Sequence, residues 1–337
     1  MIQHNAPTLG IEEERAALRA IRSGWLAQGP EVESFEDGFC KFISLPVGHA
    51  VAVSSGTSAL FLSLWVLNAK GKNISFPVYA CSALRHAIEM AECHELPLDI
   101  DDNSPNIELD QLRTYGKDIT IVPHMYGIPI DLSDFHELNI IEDCAQALGA
   151  KVNGKFVGLQ GTIGIFSFYA TKLITSGGQG GMIVSKDKIL IDKIRDYREF
   201  DYRRDNKRRF NFQMTDLQAA IGREQLKKLP RFLARRSEIF DQYKGTGLDL
   251  LDIKAHYKSK LLPVRCRAIV RTMTPHKLIN SLKSVGVQAR VPTEDWALLG
   301  EPQLFPNALR LTKETVSLPI YPSLSDDDIE TILKGMK

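Results

Sequence analysis

Residues 166–181 read FSFYATKLITSGGQGG. The aromatic run from Phe166 to Tyr169 has the pattern of a buried strand. A single lysine, Lys172, follows almost at once, and then a loop of small residues with glycines at 177, 178, 180 and 181. An isolated lysine at the mouth of a flexible loop is ordinarily a solvated side chain, because short motifs match by chance. Its meaning depends on what the rest of the chain brings to the same place.

Outward from this stretch, short apolar runs alternate with helical patterns. HAVAVSS (49–55), NISFP (73–77), LPLDID (96–101), DITIVPHMYG (118–127), NIIEDCA (139–145), TIGIFSFYA (162–170) and GMIVSKD (181–187) read as strands. LGIEEERAALRAIRSG (9–24), GTSALFLSLWVL (56–67) and ACSALRHAIEMAE (80–92) read as helices. Such alternation predicts an α/β fold with a mainly parallel sheet covered on both faces. Ligands in such sheets sit beyond the carboxyl ends of the strands. There the sequence puts Ser55, Gly56 and Thr57 after one strand, Asp143 at the end of another, and Ser167 and Lys172 on and after a third.

The run TDLQAAIGREQLKKLPRFLARRSEIFDQY (215–243) predicts a long helix, with Pro230 as a break or kink. Beyond it the pattern changes. KLLPVRCRAIV (260–270) reads as a strand, and DDDIETILKGMK (326–337) as a short helix. TPHKLINSLKSVG (274–286) reads as a helix with Thr274 as N-cap, Pro275 in the first turn and Gly286 past its end. The expected division is a large domain over 1–230 and a smaller α+β domain over 231–337.

The totals exclude several classes. Among 337 residues, 44% are hydrophobic and 25% charged, with a net charge of +1, as in an ordinary soluble globular protein. Near-neutrality argues against wholesale nucleic-acid or membrane binding. The opening MIQHNAPTLG has no apolar run and suggests no secretory signal, and ALFLSLWVL (59–67) is far too short to span a bilayer. Cys40, Cys81, Cys93, Cys144 and Cys266 are scattered and form no C-x-x-C pair, which fits a reducing cytoplasm. The histidines show no metal-ligand spacing, so no metal is expected.

Four features combine into a chemistry. Gly56 and Thr57 open a helix whose free N–H groups and dipole favour an anion, and Gly56 permits close approach. Asp143, after Glu142 at the end of a buried strand, would matter if a cationic ring nitrogen lay beside it. The Ser167 hydroxyl adds to a phosphate site while the Lys172 amine reaches a carbonyl. Asn211 stands just ahead of a helix. A phosphate cradle, a buried carboxylate and a lysine near glycines point to pyridoxal 5'-phosphate (PLP).

The chain also resembles the DegT/DnrJ/EryC1/StrS sugar aminotransferases, which are fold-type I PLP enzymes. SGWLAQGPEVESFEDGFCKF, VAVSSGTSALFLSL, FPVYACSALRHAI, HMYGIPIDL, IEDCAQALGA, FSFYATKLITSGGQGG, FNFQMTDLQAAIG and LPIYPSL follow in the family's order over nearly the whole chain. The resemblance implies that Lys172 is the Schiff-base lysine and proton shuttle, and that Asp143 partners the pyridine nitrogen. It implies cofactor contacts from Gln146 to the ring oxygen, from Gly56, Thr57 and Ser167 to the phosphate, and from Tyr79 stacked on the ring. It further implies a homodimer with shared sites, in which Asn211 reaches the neighbouring subunit's phosphate. The basic run YRRDNKRRFNF (202–212) would then bring some of Arg203, Arg204, Lys207, Arg208 and Arg209 to the diphosphate of a nucleotide sugar.

This sequence departs from the family pattern at Gln179, where glutamate is usual, and at Gln213, where arginine is usual. RVPTEDWALLGEP (290–302) stands in place of the family's Y-x-P-L-H element. The expected activity is amino transfer from glutamate to a nucleotide-linked keto sugar, through pyridoxamine 5'-phosphate. Two readings stay open beside it: a cyclitol or other non-nucleotide ketone as acceptor, and a non-catalytic sugar-binding or regulatory protein on the same fold.

Overall fold

The computed structural model describes residues 1–116, 118–253 and 259–336. Helices α1 (Ile11–Ser23) and α2 (Pro30–Phe42) open the chain. They are followed by β1 (Ala50–Val53), α3 (Gly56–Val66), β2 (Asn73–Pro77), α4 (Ala83–Met90), β3 (His94–Leu98), α5 (Leu109–Tyr115), β4 (Ile119–Pro123) and β5 (Asn139–Asp143). A short hairpin, β6 (Lys151–Val152) and β7 (Lys155–Phe156), leads to β8 (Ile163–Ser167), β9 (Gly181–Val184), α6 (Lys188–Arg198) and the long α7 (Asp216–Lys244). Then come β10 (Leu261–Leu262), β11 (Ala268–Arg271), α8 (Pro275–Ser284), α9 (Pro306–Lys313), β12 (Thr315–Leu318) and α10 (Asp326–Gly335).

The central seven-stranded sheet has the order β1-β9-β8-β5-β4-β2-β3. Its neighbours are parallel except β9, which is antiparallel to both β1 and β8. Alternation along a strand sends successive side chains to opposite faces. On β8, Ile163 and Ile165 join the apolar layer formed with Leu60, Leu64 and Ile74, while Phe166 and the following Phe168 join Phe35, Phe39 and Leu229 on the other face. Helices α3, α4 and α6 thus cover one face, and α2 and α7 the other. The same parity puts Ser167 on the α3 side of the sheet.

Helix α7 runs through Pro230 without a break. Proline there removes one donor from the helical ladder, but apolar residues on both sides of it hold the helix down: Leu226 and Leu229 before it, Phe232 after it. The expected boundary at 230/231 falls inside this helix. Its far half, with Ile239, Phe240 and Tyr243, forms a second core with β11, β12, α8 and α10. The chain's first residues join that core: Ile2 bridges Val287 in parallel.

The expected single strand over 260–270 is two separate ones. β10 pairs with β6, whereas β11 pairs with β12. Pro263 lacks a donor for a ladder, and the next N–H, that of Val264, donates to the Gly127 carbonyl at 3.0 Å. Thr274 precedes α8, but its side chain makes no cap bond; Pro275 is the first-turn residue as expected. The last helix is capped by Ser325, whose Oγ accepts from Asp328 N at 3.1 Å.

Candidate active site

The carboxyl ends of β1, β5 and β8 converge on one place. After β1 the chain turns directly into α3. Ser55 caps it by accepting the Ser58 N–H at 3.1 Å, and the Ala59 N–H reaches the Ser55 carbonyl. The N–H groups of Gly56 and Thr57 have no acceptor among the described residues. A Cβ at Gly56 would lie 3.0 Å from Ser167 Cβ and 3.2 Å from its Oγ. Glycine therefore lets the Ser167 hydroxyl sit against the start of the helix. Gly181, at the start of β9, passes so close to this turn that a Cβ would be 2.3 Å from the Ser55 carbonyl oxygen. Together these form a concave cluster of donors suited to a phosphate.

Glu142 and Asp143, consecutive on β5, face opposite ways. Glu142 is fully buried. Its carboxylate accepts from the N–H groups of Gly158 (2.8 Å), Gln160 (2.6 Å) and Gly161 (2.7 Å). His124 Nε2 donates to it at 3.0 Å, and the ring's tautomer is set because Nδ1 accepts the Ile130 N–H at 3.1 Å. Burial would push the Glu142 pKa up, but these bonds hold it below the usual range. With its donors matched this way, the His124–Glu142–Cys144 group is a structural knot.

Asp143 behaves oppositely. Burial pushes its pKa up, and the Ala145 N–H, the Lys172 ammonium and His124 pull against that without cancelling it. Its Oδ1 accepts from Ala145 N at 2.9 Å, and its Oδ2 has no hydrogen-bond partner among the described residues.

Lys172 lies in the connection between β8 and β9. This connection is laced rather than flexible. Phe168 N donates to Gly180 O at 2.9 Å, Ala170 N to Gly178 O at 3.0 Å, and Ser176 N back to Phe168 O at 3.1 Å. Gln218 of α7 ties the Gln179 carbonyl at 3.0 Å. The Lys172 amine has no carboxylate within ion-pair distance among the described residues, and it opens on a cavity of about 410 Å³. Cys81, Tyr126 and Gln146 line the same cavity.

Tyr79 is fully buried and accepts the Tyr126 hydroxyl at 2.8 Å. At this side the cavity wall is formed by Ala80, Cys81 and Tyr126. Gln146 Oε1 accepts the Tyr126 N–H at 3.1 Å. That bond helps hold Tyr126 at φ 59°, a left-handed conformation rare for an aromatic residue. Burial raises the pKa of both phenols, so both stay neutral.

Asn211 is exposed, yet its backbone neighbours dock on the phosphate turn: Ser54 N donates to Phe212 O at 2.8 Å, and Gln213 bridges Val53. The basic run divides. Arg209 pairs with Asp196 (2.9 Å) and Asp205 (2.6 Å), and Arg203 with Glu199 (2.7 Å). Arg208 lies over the Trp65 ring at 5.9 Å. Arg204 and Lys207 have no carboxylate partner among the described residues.

PLP requires an anion cradle, a carboxylate for its ring nitrogen and an amine for its aldehyde. The close contact of Gly56 and Ser167, the unpaired oxygen of buried Asp143 and the unpaired amine of Lys172 fit those requirements. Sequence reasoning missed Tyr126 and Cys81, although HMYG and YAC lie in motifs it used. It also missed the opposite wall, formed by His4, Arg267, Arg290, Thr293 and Ser317. Those residues are far apart in the chain and share no periodic signal; the only hint is the arginine within the apolar run CRAIV.

The profile of the DegT/DnrJ/EryC1/StrS aminotransferase family matches residues 7–337. The chain is 30% identical to the spore coat polysaccharide biosynthesis protein SpsC of Bacillus subtilis, with 100% of this chain and 96% of that one covered. It is also 30% identical to the GDP-perosamine synthase of Vibrio cholerae, covering 100% and 98%. Among solved structures, the aminotransferase TlmJ of Streptoalloteichus hindustanus superposes with a TM-score of 0.91 at 27% identity, over 99% of this chain and 97% of that one. The chain belongs to the DegT/DnrJ/EryC1/StrS aminotransferase family and is a fold-type I enzyme that transfers amino groups with PLP.

Proposed function

We propose that the enzyme takes an amino group from glutamate and gives it to a keto sugar carried on a nucleotide. The observation that carries this reading is the placement of Lys172 at the cavity, close enough to buried Asp143 to pull its pKa down, in the loop that follows Ser167, which packs against the helix start at Gly56. Relatives named for GDP-perosamine synthesis and for spore coat polysaccharide support a sugar acceptor. The product would feed a surface polysaccharide, glycan or antibiotic route.

The proposed roles follow from position. Gly56, Thr57 and Ser167 hold the phosphate. Asp143 keeps a proton on the ring nitrogen, and the cofactor then supplies an electron sink. Gln146 faces the ring oxygen, and the aromatic at the cavity wall is Tyr126, because Tyr79, the stacking aromatic expected from the resemblance, is fully buried and hydrogen-bonded to it. Lys172 anchors the cofactor and, once released, moves the proton at its amine.

We also propose a cytoplasmic homodimer with shared sites. The described cysteines are all free, as in a reducing compartment. No described helix is long and apolar enough to cross a membrane. Asn211 is exposed, and so are Trp25 and Leu26 in the turn where the Leu26 and Ala27 carbonyls accept the Asp216 N–H. Covering that face with a second copy would bring Asn211 to the partner's phosphate cradle, and Arg204 and Lys207 toward the sugar's diphosphate.

The test is spectroscopic. Purified enzyme with bound cofactor should show a visible absorbance band that glutamate bleaches, with stoichiometric release of 2-oxoglutarate. A screen of keto acceptors should then restore the band, nucleotide-linked sugars ahead of cyclitol ketones. A band that no amino acid bleaches would favour a non-catalytic role.

A further inference from the structure

The wall facing Lys172 carries positive charge that the roles above do not use. Arg267 directly precedes β11, and Arg290 bridges Ser317 of β12, so the small sheet presents both guanidiniums to the cavity. Neither has a carboxylate partner among the described residues. Both instead converge on one neutral atom. Arg290 donates to His4 Nδ1 from Nε at 2.9 Å and from Nη2 at 2.6 Å, and Arg267 Nη1 lies 3.5 Å from the same nitrogen.

An Nδ1 that accepts these bonds leaves the ring hydrogen on Nε2, which donates to Ser317 Oγ at 2.9 Å. Burial, and then Arg267 and Arg290, hold the His4 pKa down to about 3, so the ring stays uncharged at neutral pH. His4 therefore orients the guanidiniums without neutralising them. Two like charges held together repel, and burial and Arg267 together lower the pKa of Arg290. An anion would complete this wall, with the Thr293 and Ser317 hydroxyls beside it.

The cavity indicates which anion. An α-amino acid carries its carboxylate on the same carbon as the amine it gives up. A site for it needs a cationic fork in the same small space as the reacting lysine, and here both share about 410 Å³. Guanidinium binds carboxylate in two parallel hydrogen bonds. The diphosphate of a nucleotide sugar lies beyond a whole sugar ring from the reacting carbon.

We propose that Arg267 and Arg290, oriented by His4, bind the carboxylate of the amino-acid donor and of its keto-acid product. The inference rests on the aminotransferase reading of the site. Its test is calorimetric titration of the pyridoxamine-form enzyme in a Lys172→Ala background, which lacks the proton shuttle and so blocks conversion, with 2-oxoglutarate, and in parallel with uridine diphosphate. Arg267→Gln and Arg290→Gln should each weaken 2-oxoglutarate binding by about tenfold to hundredfold, the size of a charge-assisted hydrogen bond or two. Arg267→Lys and Arg290→Lys, which keep charge without the fork, should recover part of that loss. Uridine diphosphate affinity should stay within about twofold, which also shows that the variants are folded. Unchanged 2-oxoglutarate affinity in the glutamine variants would overturn the proposal, as would a loss confined to uridine diphosphate. The titration needs no turnover, so an enzyme that glutamate cannot convert would defeat the proposed function while the binding result still decides this site.

Discussion

Glu142 and Asp143 are neighbours on β5, both buried, and their carboxyl groups are driven in opposite directions: Glu142 below its ordinary pKa and Asp143 above it. The difference lies in their donors. Glu142 receives three backbone N–H groups, His124 and the Gln160 amide, whereas among the described residues Asp143 receives only the Ala145 N–H. A rigid, saturated carboxylate thus stands beside one with an oxygen to offer.

Asp143→Asn should leave the fold intact and lower turnover by several orders of magnitude, because an amide does not hold a proton on the ring nitrogen. It should also raise the melting temperature of the cofactor-free protein at pH 7. The sign follows from the raised pKa: burying ionised Asp143 costs stability above its ordinary value of 3.8, and the cost vanishes below that value where both states are protonated. The gain should therefore disappear near pH 3.5, roughly where the ordinary carboxyl is neutral. Melting curves of both proteins at the two pH values check this; equal melting temperatures at pH 7 would contradict it.

Glu142→Gln should be a stability variant. An amide offers fewer acceptor positions to the same donors and sets its own N–H₂ against one of them. A loss of about 3 kcal/mol is expected. The native Glu142 contribution is complete above its ordinary 4.5 and is lost as pH falls through its lower folded value, so the difference between the two proteins should shrink in acid. Urea unfolding at neutral and acid pH measures both effects.

Lys172→Ala should nearly abolish turnover and remove the visible band. Folding stability should change by less than about 0.5 kcal/mol, since the side chain makes no ion pair among the described residues and is half-exposed. Denaturant unfolding of cofactor-free protein separates the two effects; turnover like that of the parent enzyme would exclude Lys172 from the chemistry.

Mixing subunits tests the shared site. One chain carries Lys172→Ala and the other Asn211→Ala with Arg204→Ala. Each homodimer should be nearly inactive, and the mixed dimer should regain activity through one intact site. Demonstrated heterodimers without recovery would return Asn211 to its own chain's site or to solvent.

The sheet was legible because its strands are short, β-branched and bounded by turn residues, and because Ile165 and Phe166 alternate faces as expected. The turn Ser55-Gly56-Thr57, Asp143 and Lys172 were legible because each falls where a strand ends. KLLPVRCRAIV was misread as one strand since a continuous apolar run carries no register, and Pro263 divides it. The loop around Lys172 was expected to be flexible from its glycines. Those glycines instead serve close approach, at Gly181 against Ser55 O. The arginine wall was invisible because His4, Arg267 and Arg290 meet only through the pairing of β11, β12 and the first residues of the chain.

The central claim is that Lys172 carries the cofactor. Sodium borohydride reduction of the purified holoenzyme fixes the cofactor to whichever lysine holds it, and peptide mass spectrometry then locates the modification. The account predicts a pyridoxyl group on Lys172, in the peptide containing FSFYATK, and on no other lysine. Modification of a different lysine, or none in protein that retains its visible band, would contradict it.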